Sequence, residues 1–78
     1  MGIEYEYMRV ANELEAEIKA GRLAPEARLP NERDLGDQYG VSHATARRAV
    51  KELRERGLVV TLPNKVSYIL PHNGQNGP

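Results

Sequence analysis

Apolar residues recur every three or four positions in two stretches of this chain, and that spacing is typical of amphipathic helices. The first stretch runs from residue 5 to about residue 20. Its apolar positions are Tyr7, Val10, Ala11, Leu14 and Ile18. The second stretch covers residues 42–56, and its apolar positions are Ala46, Ala49, Val50 and Leu53. Because Ser42 can cap the start of a helix and Gly57 can end one in a left-handed conformation, the second stretch predicts a well-delimited helix.

A shorter helix is predicted between these two. Pro30 biases Leu29 towards extended backbone, so Leu29 can join the edge of a small sheet. Asn31 can then cap a helix that ends near Tyr39. Gly40 can supply the positive φ of a tight junction with the next helix. A short helix, a turn with glycine and a capped helix together form a helix-turn-helix.

The apolar period changes after the third helix. Residues 58–62 and 66–70 are β-rich runs on either side of Pro63, Asn64 and Lys65, and they predict a β-hairpin, or wing. The predicted fold class is therefore mainly α with a small β-hairpin (α+β): a winged helix-turn-helix of three helices plus a C-terminal two-stranded wing, within residues 1–70. Residues 71–78 lack any large apolar side chain, and we expect them to be a disordered tail or the start of an interdomain linker.

The formal net charge is zero, but the charges are unevenly distributed. Residues 1–40 hold nine acidic and five basic residues, a net charge of −4, whereas residues 41–78 hold two acidic and six basic residues, a net charge of +4. The polar side of the third helix carries His43, Arg47, Lys51 and Arg54, with Arg48 at its margin. Since duplex DNA responds to the local field of the surface it meets, this face suits DNA binding.

Several function classes find no support in the sequence. The chain has no cysteine, so it has neither a disulfide nor a cysteine-based metal site, and its two histidines have no metal-binding spacing. There is no glycine-rich phosphate loop and no nucleophile beside a base. No apolar run is long enough to cross a membrane. We therefore expect a cytoplasmic protein that is not an enzyme, carries no cofactor or metal and has no membrane partner.

Five short motifs follow one another along the chain. They are Tyr7-x-x-Val10-Ala11-x-x-Leu14-x-x-x-Ile18, Gly21-x-Leu23-x-Pro25, Leu29-Pro30-Asn31-Glu32-Arg33-x-Leu35, Gly40-Val41-Ser42-x-x-Thr45-x-Arg47 and Leu53-x-x-x-Gly57-Leu58-Val59. In this order and spacing they resemble the DNA-binding domain of the GntR family of bacterial transcription regulators, from about Tyr7 to Ile69. The resemblance implies sequence-specific binding of double-stranded DNA by a regulator, most simply a repressor, with helix 42–56 in the major groove and wing 58–70 near the minor groove.

The resemblance also implies roles for individual residues. Arg33 and Arg47 would approach bases or backbone in the major groove, and Ser42 and Thr45 would contact phosphates. The other expected DNA-binding residues are His43, Arg48, Lys51, Asn64 and Lys65. Simpler alternatives stay open: Arg47 could pair with Glu55 or another neighbour, Arg33 could pair with Asp37, and His43 could simply be exposed.

Four positions depart from the family pattern. Asn31 replaces the usual serine but keeps the helix cap. His43 replaces the usual arginine and so removes a guanidinium that favours guanine, which leaves room for a different operator preference. Asn64 and Val66 stand where the wing glycines are usual. Because Val66 cannot follow the backbone of a glycine, its presence argues against a close approach to the minor groove.

The resemblance further implies partners for the complete protein. We expect a homodimer on a near-palindromic operator, whereas the isolated domain is expected to be a monomer. A small-molecule effector is expected only if a C-terminal domain exists. The alternative hypothesis is a winged-helix module that uses its basic helix to dock an acidic partner protein, and the acidic first half and the altered wing are what favour it.

Overall fold

The computed structural model describes residues 5–71 as three helices followed by a two-stranded antiparallel sheet. The helices are α1 (Glu6–Lys19), α2 (Glu32–Tyr39) and α3 (His43–Glu55), and the strands are β1 (Val59–Thr61) and β2 (Ser67–Ile69). The predicted fold class is confirmed in element order and type. Residues 72–78 of the predicted tail lie outside the described residues.

The helix ends are stabilised by the local contacts that the sequence predicts. The Asn31 side chain accepts a hydrogen bond from the backbone N–H of Asp34 at 2.8 Å, and this bond caps α2. Gly40 has a φ of +69°, and Gly57, which follows α3, has a φ of +78°. Both are left-handed conformations that glycine adopts at little cost. The start and end of α3, the helix with the basic face, are therefore fixed by residues outside that face.

One apolar core joins the three helices to the sheet. Its largest fully buried side chains are Leu14, Leu35, Leu53, Ile69 and Val10. From α3 the core receives Ala46, Ala49, Val50 and Leu53, which are the four positions predicted to face inward. No polar or charged residue among residues 5–71 is buried, so the polar side of α3 takes no part in the core.

The wing is attached to the connector between α1 and α2. Val59 pairs with Ile69 across the hairpin, and both side chains are buried. On the other edge of β2, the Leu29 N–H donates to the Ser67 carbonyl at 2.8 Å, and the Ile69 N–H donates to the Ala27 carbonyl at 2.9 Å. The prediction that Leu29 joins a sheet edge is thus confirmed, and the wing is held by backbone hydrogen bonds on both sides of β2.

The turn of the wing has an unusual left-handed residue. The Lys65 N–H donates to the Leu62 carbonyl at 2.7 Å, and Lys65 has a φ of +66°. This is the arrangement of a three-residue hairpin loop, in which the left-handed position usually holds glycine. The backbone that needs glycine-like freedom therefore belongs to Lys65 and not to Val66. The expectation that Val66 argues against a close approach to the minor groove stays a prediction.

A cluster of charged side chains ties the end of α3 to α1. The guanidinium of Arg56, which follows α3, donates to Glu15 at 2.6 Å and to Glu52 at 3.1 Å. Lys19 lies 2.6 Å from the other carboxylate oxygen of Glu15. Hydrogen bonds from Lys19 and Arg56 lower the pKa of the Glu15 carboxyl below its ordinary value. These contacts lie at the C-terminal end of α3, away from the helix start where the residues expected to contact DNA are concentrated.

Candidate nucleic-acid interface

The junction between α2 and α3 depends on a very close backbone approach. Gly36 is buried within α2, and a Cβ atom at this position would lie 2.8 Å from the carbonyl oxygen of Val41. The same Cβ would lie 3.5 Å from the His43 ring. Gly36 therefore allows the turn to pack beneath the start of α3. Sequence reasoning missed this residue, although a glycine inside a helical pattern is a signal of close packing.

Two hydroxyl groups form a chain at the N-terminus of α3. The Ser42 hydroxyl accepts a hydrogen bond from the Thr45 N–H at 3.0 Å, as predicted for a helix cap. It also donates to the Thr45 hydroxyl oxygen at 3.0 Å. In this arrangement the proton of Ser42 is used within the protein, whereas the proton of the Thr45 hydroxyl is left for an outside acceptor. Of the two residues expected to contact phosphates, Thr45 is the better donor.

Arg47 lies on the outward face of α3, and 66% of its side chain is exposed. Its Nε donates to a carboxylate oxygen of Glu32, the first residue of α2, at 3.1 Å. The open alternative of an ion pair is thus realised with Glu32, not with Glu55. The exposed position that DNA binding requires is retained.

Other expected contact residues are exposed as well. His43 and Lys51 on α3 and Arg33 on α2 are all exposed. Within residues 5–71 none of them forms an ion pair, and the suggested bridge from Arg33 to Asp37 does not occur. These three side chains are therefore available to a partner.

Two arginines at the edges of this face are engaged by neighbouring elements. The Arg48 guanidinium lies over the ring of Tyr7 on α1, 4.4 Å from its centroid, in a cation–π contact. Arg54 donates to the Thr61 hydroxyl at 3.0 Å, and Thr61 is 2.7 Å from the Ser67 hydroxyl. Arg54 thus links α3 to the wing.

The turn of the wing holds two expected contact residues, and one of them, Lys65, lies beside the helix-turn-helix. The Asn64 side chain accepts a hydrogen bond from the Val66 N–H at 3.0 Å, so its carbonyl group is used to shape the turn. Lys65 is exposed. It lines a shallow cleft whose other walls come from the connector, α2, α3 and β2, through Arg28, Asn31, Glu32, Val50 and Ser67. Lys65 and Glu32 therefore border the same groove.

The described part of the chain contains neither a cluster of metal-binding side chains nor a membrane-spanning helix. No group of three or more His, Cys, Asp or Glu residues within residues 5–71 could hold a metal ion. None of the helices in that range is both long enough and apolar enough to cross a membrane.

Comparisons with known proteins agree with this architecture. The profile of the family described as bacterial regulatory proteins, gntR family, matches residues 6–69. The HTH-type transcriptional repressor NagR of Bacillus subtilis (strain 168) is 33% identical over 63 residues, which are 81% of this chain and 26% of NagR. The HTH-type transcriptional regulator SmoD of Agrobacterium fabrum is 38% identical over 63 residues, which are 81% of this chain and 27% of SmoD. The chain thus spans about a quarter of the length of these relatives.

A solved structure with bound DNA is similar as well. The crystal structure of AraR(DBD) in complex with operator ORX1 superposes with a TM-score of 0.79 at 28% identity, and the match covers 86% of this chain and 81% of that one. The family match over residues 6–69 thus agrees with the observed fold, which has three helices and an antiparallel wing. It also agrees with the exposed basic face of the helix-turn-helix. The chain belongs to the gntR family of bacterial regulatory proteins.

Proposed function

We propose that this chain is the DNA-binding domain of a bacterial transcription regulator and that it binds a specific operator in double-stranded DNA. In this proposal α3 enters the major groove and the wing lies along the neighbouring minor groove. One observation carries the proposal: the outward side of α3 presents His43, Arg47 and Lys51 to solvent, while its opposite side is fully occupied by the core. A helix seated in this way can enter a groove without loss of its own packing.

The contacts described above suggest a division of roles. Arg47 would read a guanine edge, and Arg33 and His43 would contact bases or backbone beside it. Thr45 would donate to a phosphate oxygen with the hydroxyl proton that Ser42 does not use. Ser42 would act mainly as the helix cap. Lys51, Arg48 and Lys65 would contact phosphates, and Asn64 would support Lys65 through its hydrogen bond in the wing turn.

We infer the properties of the whole regulator from its relatives. NagR is named a repressor, and we propose repression for this protein too. A homodimer would place two copies of α3 on two half-sites of a near-palindromic operator. The isolated chain would be a monomer with modest affinity. A small-molecule effector would act through a further domain, and binding would take place in the cytoplasm, where bacterial DNA lies.

Selection of bound duplexes from a random pool by this chain, followed by fluorescence anisotropy at several salt concentrations, tests the proposal. We expect one sequence class to be enriched and to bind more tightly than a random duplex. We also expect affinity for both duplexes to fall steeply as salt increases. If no duplex is enriched or bound at low salt, the proposal is wrong, and the alternative of a module that docks an acidic protein is favoured.

A further inference from the structure

We propose that Glu32 is a specificity-determining residue that acts through Arg47. Its carboxylate would hold the guanidinium of Arg47 in an orientation that reads guanine. This inference rests on the proposed DNA-binding function. Glu32 and Arg47 are 15 positions apart in the sequence and meet only because the turn after α2 folds α3 back across it.

The atoms used in the contact support this role. Arg47 reaches Glu32 through Nε, at 3.1 Å, and within residues 5–71 its guanidinium makes no other hydrogen bond. The two terminal nitrogens are therefore free to donate in parallel. A guanine edge offers two acceptors, O6 and N7, to such a pair of donors. A carboxylate on Nε thus fixes the plane of the guanidinium while it leaves the recognition atoms free.

A purely structural role explains the contact less well. The Arg47 side chain is 66% exposed and the Glu32 side chain 40%, and ion pairs between groups accessible to solvent add little to stability. Leu35 of α2 and Ala46 of α3 are fully buried in the core that holds the two helices together. The fold therefore does not need this pair.

The negative charge of Glu32 predicts how the affinity for DNA should change when this charge is removed. Glu32 borders the same cleft as Lys65 in the wing, on the side where DNA is proposed to bind. A negative charge there repels phosphates on every duplex, so it weakens non-specific binding. At the same time, a fixed Arg47 strengthens binding to the correct base. Because the repulsion acts on both duplexes alike, only the fixed Arg47 raises the ratio between specific and non-specific affinity.

The experiment compares the dissociation constants of a selected duplex and a random duplex for the full 78-residue chain. We expect Glu32→Ala to reduce the ratio between the two constants by about tenfold and to tighten binding to the random duplex. Glu32→Gln keeps an acceptor for Nε and should restore part of the ratio. Asp37→Ala, an exposed acid on the same helix, is the matched charge control and should leave the ratio unchanged.

A double-mutant cycle shows whether the effect passes through Arg47. In an Arg47→Ala background, Glu32→Ala should change the ratio no further. Methylation of guanine N7 should interfere with binding of the parent chain at one guanine per half-site, and Glu32→Ala should weaken that interference. Circular dichroism verifies that each variant is folded.

The possible outcomes separate the two proposals. If no duplex is enriched by the parent chain, the proposed function is wrong, and the inference falls with it. If a duplex is enriched but Glu32→Ala keeps the parent ratio, only the role of Glu32 is wrong. The same conclusion holds if Glu32→Ala acts equally in the Arg47→Ala background, or if Asp37→Ala has the same effect.

Discussion

Two turns in this domain each contain a residue with a left-handed backbone conformation, but the residue types differ. One is the turn between α2 and α3, and the other is the turn of the wing. The first places a glycine, Gly40, at its left-handed position, and Gly36 beneath it allows the backbone of Val41 to approach. The wing turn places Lys65 at its left-handed position, where a side chain costs about 1–2 kcal/mol. The helix-turn-helix is thus relaxed and closely packed. In the wing, the strained backbone position is occupied by the charged residue, Lys65. Backbone strain at a charged, exposed residue is the pattern expected where function competes with stability.

The largest effect is expected at the packed turn. Gly36→Ala would place a Cβ atom 2.8 Å from the Val41 carbonyl oxygen. Because the Cβ is fixed by the backbone of α2 and the oxygen belongs to the backbone of the turn, α2 or the turn must shift. We expect a loss of about 2–3 kcal/mol in the free energy of unfolding. Thermal unfolding followed by circular dichroism measures it. Gly40→Ala is the comparison: no atom lies within 4 Å of its Cβ position, so only backbone strain should appear, at about 1 kcal/mol. A fully stable Gly36→Ala variant would contradict this account of the turn.

The next effect concerns binding rather than stability. Arg47→Ala should weaken binding to the selected operator by about 1–3 kcal/mol and leave the melting temperature almost unchanged. The reason is that its side chain is exposed and makes only a surface ion pair. Anisotropy titrations on selected and random duplexes measure the change. Lys51→Ala serves as the control, because loss of a phosphate contact should weaken both duplexes alike. Equal affinity of Arg47→Ala and the parent for the operator would refute base reading by this residue.

Because Lys65 is strained, its substitution is expected to have opposite effects on stability and on DNA binding. Lys65→Gly should raise the free energy of unfolding by about 0.5–1 kcal/mol, since glycine relieves the left-handed φ at some cost in chain entropy. The same change should weaken DNA binding and lower the slope of log affinity against log salt by about 0.9, the value for one phosphate contact. Lys65→Asn, which tolerates the conformation without the charge, separates the two effects. A stabilised variant with an unchanged salt slope would mean that Lys65 does not touch phosphate.

The smallest effect is expected far from both turns, at the charged cluster behind α3. The folded-state pKa of Glu15 is lowered, first by the hydrogen bond from Lys19 and then by that from Arg56. A lowered pKa means that the contribution is present above the unfolded-state pKa, about 4.3, and is lost as the pH falls through the folded-state value. Glu15→Gln should therefore flatten the acid side of the stability profile. Urea unfolding between pH 3 and pH 7 tests this. A variant whose profile keeps the parent slope would show that Glu15 is not the group involved.

The parts of this fold that follow from local chemistry were predictable from the sequence. Asn31 and Ser42 cap their helices through bonds that span three residues, and Gly57 ends α3 by its own backbone conformation. Leu29 joins the sheet because Pro30 keeps it extended. Each of these depends on a few neighbouring residues, so a single sequence contains the necessary information.

The contacts that join distant segments could not be predicted in this way. The partner of Arg47 was unknown because Glu32 lies on another helix, and the contact of Arg48 with Tyr7 depends on how α1 crosses α3. The left-handed conformation of Lys65 in the wing was not predicted either, since it depends on the register of the hairpin. The proposed roles of individual residues on DNA remain predictions, because they concern a second molecule.

The residues that stabilise α3 are different from its exposed residues, and this separation affects how such a domain can evolve. Its caps and core positions hold the helix, whereas His43 on α3 and Arg33 on α2 are exposed, and neither takes part in an ion pair within residues 5–71. We expect substitution at these two exposed positions to change the free energy of unfolding only slightly. If these two residues contact the operator as proposed, a gene duplicate would acquire a new target sequence through one or two exchanges, without first crossing a barrier of lost stability.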